Sequence, residues 1–175
     1  LRPSWNQDKI LVITSIGFGL IFGIFRPIFL DENAMGSLSA SLQHFVASFG
    51  VHLNSFAALF DGIFRYGRSL LLIWVCAMFS KARYVTLFVL FMRAMSLSFS
   101  AAMMVAAFGG RGFGYAMMLY GLQNLLIMPV YVYSAYHIIQ GRIMLKTAVV
   151  GIIAVVAASI IDAYLAPALF VLFWR

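Results

Sequence analysis

YGLQNLLIMPVYVYSAY, residues 120–136, decides how this chain is read. It lies inside one of the most apolar runs of the sequence. Yet it carries two adjacent amides, Gln123 and Asn124, and then Pro129 five residues further on. A helix through this stretch loses the N–H that would bond the carbonyl of Leu125, and the proline ring crowds that turn, so a kink is expected at Pro129. In hydrocarbon the freed carbonyl needs a donor from a neighbouring helix, a side chain or water. Asn124 falls on the same helical face as Tyr120 and Tyr131. The amides and phenols therefore form an inward polar stripe. Such a stripe ties helices together, each bond contributing about 0.6–2 kcal/mol, or it lines a solute path or holds a partner's helix.

The stretch reads this way only if the solvent is a bilayer, and composition argues that it is. The 175 residues are 64% hydrophobic and 10% charged, with a mean hydropathy of +1.00. Soluble domains carry about 25% charged residues, and so few charges could not cover this much apolar surface. The net charge of +7 does not indicate nucleic acid. The basic residues stand singly or in pairs between apolar runs and form no stripe for a phosphate backbone. Pairs beside membrane spans act as topology signals and meet anionic headgroups. The one cysteine, Cys76, has no partner for an internal disulfide and reads as a small buried hydrophobe.

Working outward, five spans are expected, since a helix needs roughly 20 apolar residues to cross. They cover residues 10–29, 66–80, 84–108, 113–139 and 147–174. The first follows Arg2 and Lys9 as a signal peptide would, but it ends at Arg26-Pro27 without a small-residue cleavage site and is expected to be retained. Between the first two spans, Leu38, Leu42, Phe45, Phe49, Leu53, Phe56 and Phe60 recur at spacings of three and four. That predicts one amphipathic helix over 37–60, lying in the interface, re-entering, or docked on the ends of the spans. His44 and His52 on it lack a third ligand, so no metal site is assigned. GGRGFG, residues 109–114, is expected to be a turn, and so is the basic segment 141–146. The fold class is thus all-α, a polytopic helical bundle. Six basic residues on the inner side against five on the outer favour a cytoplasmic N-terminus and an external C-terminus.

Two ionisable residues fall deep within spans, Arg93 and Asp162. Unpaired in mid-membrane, each costs several kcal/mol. Counting along the spans at about 1.5 Å per residue brings their depths within an arginine's reach, so an Arg93–Asp162 pair is expected, with Arg26 as the competing partner. Small residues mark three helix faces: Gly19 with Gly23, Ala94 with Ser98 and Ala102, and Gly151 with Ala154 and Ala158. Close backbone approach at such residues lets helices associate in lipid. The stripes predict a tight bundle and leave open whether the contacts are internal or between copies in a homo-oligomer.

LQNLLIMPVY followed one span later by ASIIDAYLAP resembles the stage II sporulation protein M family. That family carries a P-Q-N-L-x-x-x-P-V-Y type segment in its fourth span and an acidic-A-Y-x-x-P segment near the end of its last. The matching residues here are Gln123, Asn124, Leu125, Pro129, Val130 and Tyr131, then Asp162, Ala163, Tyr164 and Pro167. Gly19-x-x-x-Gly23 is similar too, as is the run Arg93, Ala94, Ser98, Ala102, where the family has a basic residue and glycines. Leu122 stands where the family usually has proline. The resemblance implies a non-enzymatic scaffold of the bacterial cytoplasmic membrane. In spore formers the family member works with stage II sporulation proteins D and P, cell-wall hydrolases that thin septal peptidoglycan during engulfment. It therefore implies membrane-anchored hydrolases as partners beside the lipid bilayer, with no cofactor and no nucleic acid.

The residues alone point the same way: no nucleophile with a positioned histidine and acid is evident, and His137 reads as packed or interfacial. The rival is a transporter or channel component whose polar path runs through Arg93, Asp162 and the Gln123/Asn124 stripe. An intramembrane enzyme would need a buried nucleophile or metal set, and none stands out.

Overall fold

The computed structural model describes residues 5–48, 55–76, 82–140 and 145–174. The positions 2, 49–54, 77–81, 141–144 and 175, which carry Arg2, Phe49, His52, Leu53, Lys81, Arg142 and Arg175, lie outside the described residues, as does the Cys76 side chain.

The first helix, α1 (Trp5–Phe25), opens on a polar turn with Asp8 and is mostly apolar from Ile10 onward, and Pro27 ends it. The proline cannot supply the next helical donor. The chain tightens into a 3₁₀ turn over Arg26–Phe29, closed by the Leu30 N–H on the Pro27 carbonyl at 3.2 Å. Next come α2 (Glu32–Ser48) and α3 (Ser55–Cys76), then α4 (Ala82–Phe108). A short α5 (Gly110–Ala116), a π-helical turn (Met117–Gly121) and α6 (Leu122–Ile139) follow without a break. The last rod is α7 (Leu145–Ile160), a second π-helical turn (Ile161–Leu165) and α8 (Ala166–Trp174). No strand occurs among the described residues.

Among the described residues, four helical segments are long and apolar enough to cross a membrane: Gln7–Phe29, Arg83–Phe108, Gly110–Ile139 and Lys146–Leu172. Large apolar side chains such as Ile13, Phe18, Phe29, Leu125 and Leu172 are exposed around the outside, which suits acyl chains as solvent and not water. Of the helix expected over 37–60, residues 37–48 belong to α2 and residues 55–60 open α3, while 49–54 lie outside the described residues. Phe56 and Phe60 continue into the exposed Phe64, so their three-and-four spacing marks an outward face of α3 rather than a docked one. The span expected over 66–80 starts earlier for the same reason. The turn expected over 109–114 shrinks to Gly109, whose φ of +61° is a left-handed value that favours glycine. The helix resumes at Gly110, and a Cβ on Gly112 would strike the Met104 carbonyl, so a glycine there lets α5 fold straight back along α4.

The small-residue stripes pack inside the chain. Gly19 and Gly23 lie on Ala94 and Ser98 of α4: a Cβ on Gly19 would stand 2.5 Å from the Phe91 carbonyl oxygen and 2.9 Å from Ala94 Cβ, and one on Gly23 would overlap Ser98 Oγ and the Met95 carbonyl. Ser15 Oγ donates to the Leu87 carbonyl at 2.7 Å. Residue numbers rise together along this seam, so α1 and α4 run parallel. On the far side Gly151 lies against Leu70 and Trp74, and Gly62 lies against Ser159. Numbers there run in opposite senses, so α3 and α7 are antiparallel. Ala154 and Ala158 are buried with Tyr66, Leu70, Ile73, Leu90, Ile127 and Tyr131 in the main core. A smaller core joins Val46 of α2 to Met104, Ala116, Leu119 and Phe170, so α2 covers the opposite end of the bundle from Asp8 and Arg83.

Candidate functional site

Pro167 explains one π-helical turn. It lies in the first turn of α8 and cannot donate to the helix before it. The wider turn over Ile161–Leu165 absorbs that loss, and such turns often mark functional positions. It carries Asp162 to the crossing of α3 and α6. There Asp162 Oδ2 accepts a hydrogen bond from the Tyr66 hydroxyl at 3.2 Å and is paired with Arg65 Nη1 at 3.5 Å. Asp162 Oδ1 accepts from Gln123 Nε2 at 3.2 Å. Three donors from two helices thus offset the cost of holding a carboxylate among apolar helices. Arg65 also pairs with Asp61 one turn earlier on α3.

The expected Arg93–Asp162 pair is therefore not formed: Arg65 takes the position assigned to Arg93. Arg93 instead lies over two rings, Tyr66 at 5.6 Å and Tyr131 at 5.7 Å from its guanidinium carbon. These are cation–π distances, and desolvation strengthens such contacts. Arg26, the competing partner, lies over Phe99 at 5.4 Å and does not reach Asp162.

The amide stripe comes together as expected, with divided roles. Gln123 is 1% exposed; it donates to the Leu119 carbonyl inside the first π-helical turn and also reaches Asp162. Asn124 is buried, and its Nδ2 donates to the Tyr120 carbonyl at 2.6 Å, within its own helix. Tyr131 is fully buried and its hydroxyl donates to the Tyr66 carbonyl at 2.8 Å, tying α6 to α3. The helix runs on through Pro129, whose side chain is exposed and lines an apolar groove instead of joining the buried stripe. Wider, π-helical turns lie at 117–121 and 161–165.

The sequence reading missed Arg65 and Tyr66, which hold Asp162 from α3. Arg65 had the look of an end-of-helix charge, because Asp61, Arg65 and Arg68 crowd one stretch. The available signal was Asp61-x-x-x-Arg65, a helical pair running into an apolar segment. A second missed pair is Asp8 with Arg83, 3.1 Å apart at the other end of the α1–α4 seam. His137 packs edge-on against Tyr133, 4.4 Å between ring centres. His44 is exposed and His52 lies outside the described residues. No group of three metal-ligating side chains occurs among the described residues.

A cavity of about 140 Å³ adjoins the clasp, lined by Arg65, Tyr66, Arg93, Ser96, Tyr120 and Asn124 among others. The cluster can therefore do two things: hold three helices in register, and present guanidinium donors to a small polar space. No family model matches the chain, and neither does a curated protein or a solved structure.

Proposed function

We propose that this chain is a non-enzymatic scaffold of the bacterial cytoplasmic membrane. The observation that carries the reading is the Asp162 clasp. A carboxylate held by Tyr66 and Arg65 of α3 and by Gln123 of α6 is committed to joining helices. That suits a rigid platform better than a moving gate.

The proposed platform has five passes. Parallel α1 and α4 and antiparallel α3 and α7 fit legs that alternate in direction, with α3 as the fifth crossing. At about 1.5 Å per residue its 22 residues span about 33 Å, enough for a hydrocarbon core. In this reading the N-terminus is cytoplasmic and the C-terminus external, and α2 lies at the outer surface. The resemblance to stage II sporulation protein M, through Gln123, Asn124, Pro129, Tyr131 and Asp162, supplies the partners: membrane-anchored cell-wall hydrolases acting on septal peptidoglycan in engulfment.

The test is photo-crosslinking in the native cell from positions on α2, followed by identification of what is attached. Recovery of wall hydrolases supports the scaffold. The rival, a transporter component using Arg93, Asp162 and the Gln123/Asn124 stripe, draws support from the polar cavity. It predicts that liposomes holding the purified protein show proton or solute flux that Asp162→Asn abolishes. Such flux, with no hydrolase recovered, overturns the scaffold reading.

A further inference from the structure

Arg93 has an unusual accounting of donors. A guanidinium offers five N–H groups. Among the described residues, Arg93 has no hydrogen bond and no carboxylate within 4 Å; its recorded contacts are the faces of Tyr66 and Tyr131. Ring faces stabilise the charge but do not satisfy N–H donors, and hydrocarbon cannot. The space beside it is the 140 Å³ cavity, which Arg65 also lines, together with the hydroxyl residues Ser96 and Ser100. No carboxylate residue is in that lining. Arg65 already answers Asp61 and Asp162, so Arg93 is the principal free cation of the cavity.

The cavity has an apolar neighbour. A groove of about 700 Å³ runs between α1, α4 and α6, with walls that include Leu20, Ala101, Met117, Leu125, Met128 and Pro129. Leu97, Tyr120 and Asn124 line both spaces. A small cationic chamber and a long apolar channel meeting at three shared side chains have the chemistry of an amphiphile with an acidic head. Guanidinium donors fit phosphate oxygens two at a time, and basic pockets between transmembrane helices hold phosphate headgroups.

We propose that this pair of spaces is one binding site for an anionic phospholipid, with its phosphate against Arg93 and Arg65 and an acyl chain along the Pro129 groove. Arg93 is about 11 residues into α4, roughly 17 Å from the helix end. A phosphate there lies below the plane of the bulk headgroups. An annular lipid does not reach that depth, so occupancy of this site is specific.

The experiment is native mass spectrometry of the full chain in mild detergent, titrated separately with phosphatidylglycerol, phosphatidylcholine and inorganic phosphate. The expected result is one tightly held phosphatidylglycerol, at least about tenfold preferred over phosphatidylcholine: both lipids bring the phosphate, but choline also brings a cation into a lining that holds Arg93 and Arg65 and no carboxylate. Arg93→Gln should erase the preference, and Ala101→Phe, which fills the groove, should weaken both lipids. A melting curve shows that each variant remains folded. Because the wild-type comparison stands without the variants, a variant that fails to fold leaves the test intact. Equal retention of the two lipids overturns the proposal. So does inorganic phosphate displacing phosphatidylglycerol at equal concentration, which would make the site one for a free anion.

Discussion

The two main seams of this bundle are built on opposite principles. Along α1 and α4 nothing larger than a hydrogen fits at Gly19 and Gly23, and backbone meets backbone. Between α3, α6 and α7 a carboxylate, an amide, two phenols and a guanidinium meet instead. The first seam is dispersion at close range, which lipid cannot imitate. The second joins groups whose alternative is to stand unpaired in hydrocarbon. The first fixes how closely two helices approach, and the second fixes which helices they are and in what register.

The sharpest break in the comparison should come at the first seam. Gly23→Leu puts a branched side chain into the Ser98 hydroxyl and the Met95 carbonyl. Backbone cannot rotate away as a side chain can, so a loss of about 3 kcal/mol, the upper end of overpacking, is expected. A steric-trap unfolding measurement in bicelles reads it. Asp162→Ala comes next. It strands the Tyr66 hydroxyl and one face of Arg65, leaves Gln123 with only its Leu119 bond, and should cost about 2 kcal/mol. The half-exposed Arg65 can turn to water, which keeps the loss below that of a fully enclosed pair.

Tyr131→Phe removes one hydrogen bond between α6 and α3 and keeps the ring beneath Arg93. About 1 kcal/mol is expected, typical of a single interhelical bond in a membrane protein. The smallest effect belongs to Gly17→Ala. It lies on the same helix as Gly19 and Gly23 but has nothing within 4 Å of a new Cβ. Its unfolding free energy should stay level or rise slightly, by no more than about 0.5–1 kcal/mol. A Gly17→Ala loss as large as that of Gly23→Leu would mean that α1 presents a different face.

The first seam was legible in sequence and the second only partly. Gly19, Gly23, Ala94 and Ser98 each stand at intervals of four, and a small residue needs no partner's identity to declare a close contact. Asp162, Gln123 and Tyr131 were legible as inward groups because hydrocarbon leaves them no other direction. What could not be read was lateral order. Counting residues gives depth, and at similar depth Arg93 and Arg65 compete for Asp162 with nothing in the sequence to say which helix lies beside α7. Gly62 and Gly151 carry that information, since they let α3 approach α7, but glycine alone does not name its partner. Pro129 misled for a related reason: a proline signals a missing donor, yet it can face outward on a groove while Pro167 accompanies the wider turn.

A pair of double-mutant cycles, measured as unfolding free energies in bicelles, tests the account most directly. One combines Arg65→Gln with Asp162→Asn, the other Arg93→Gln with Asp162→Asn. The clasp described here predicts a coupling of about 1 kcal/mol in the first cycle and a markedly smaller value in the second. Strong coupling of Asp162 to Arg93, with none to Arg65, would contradict it.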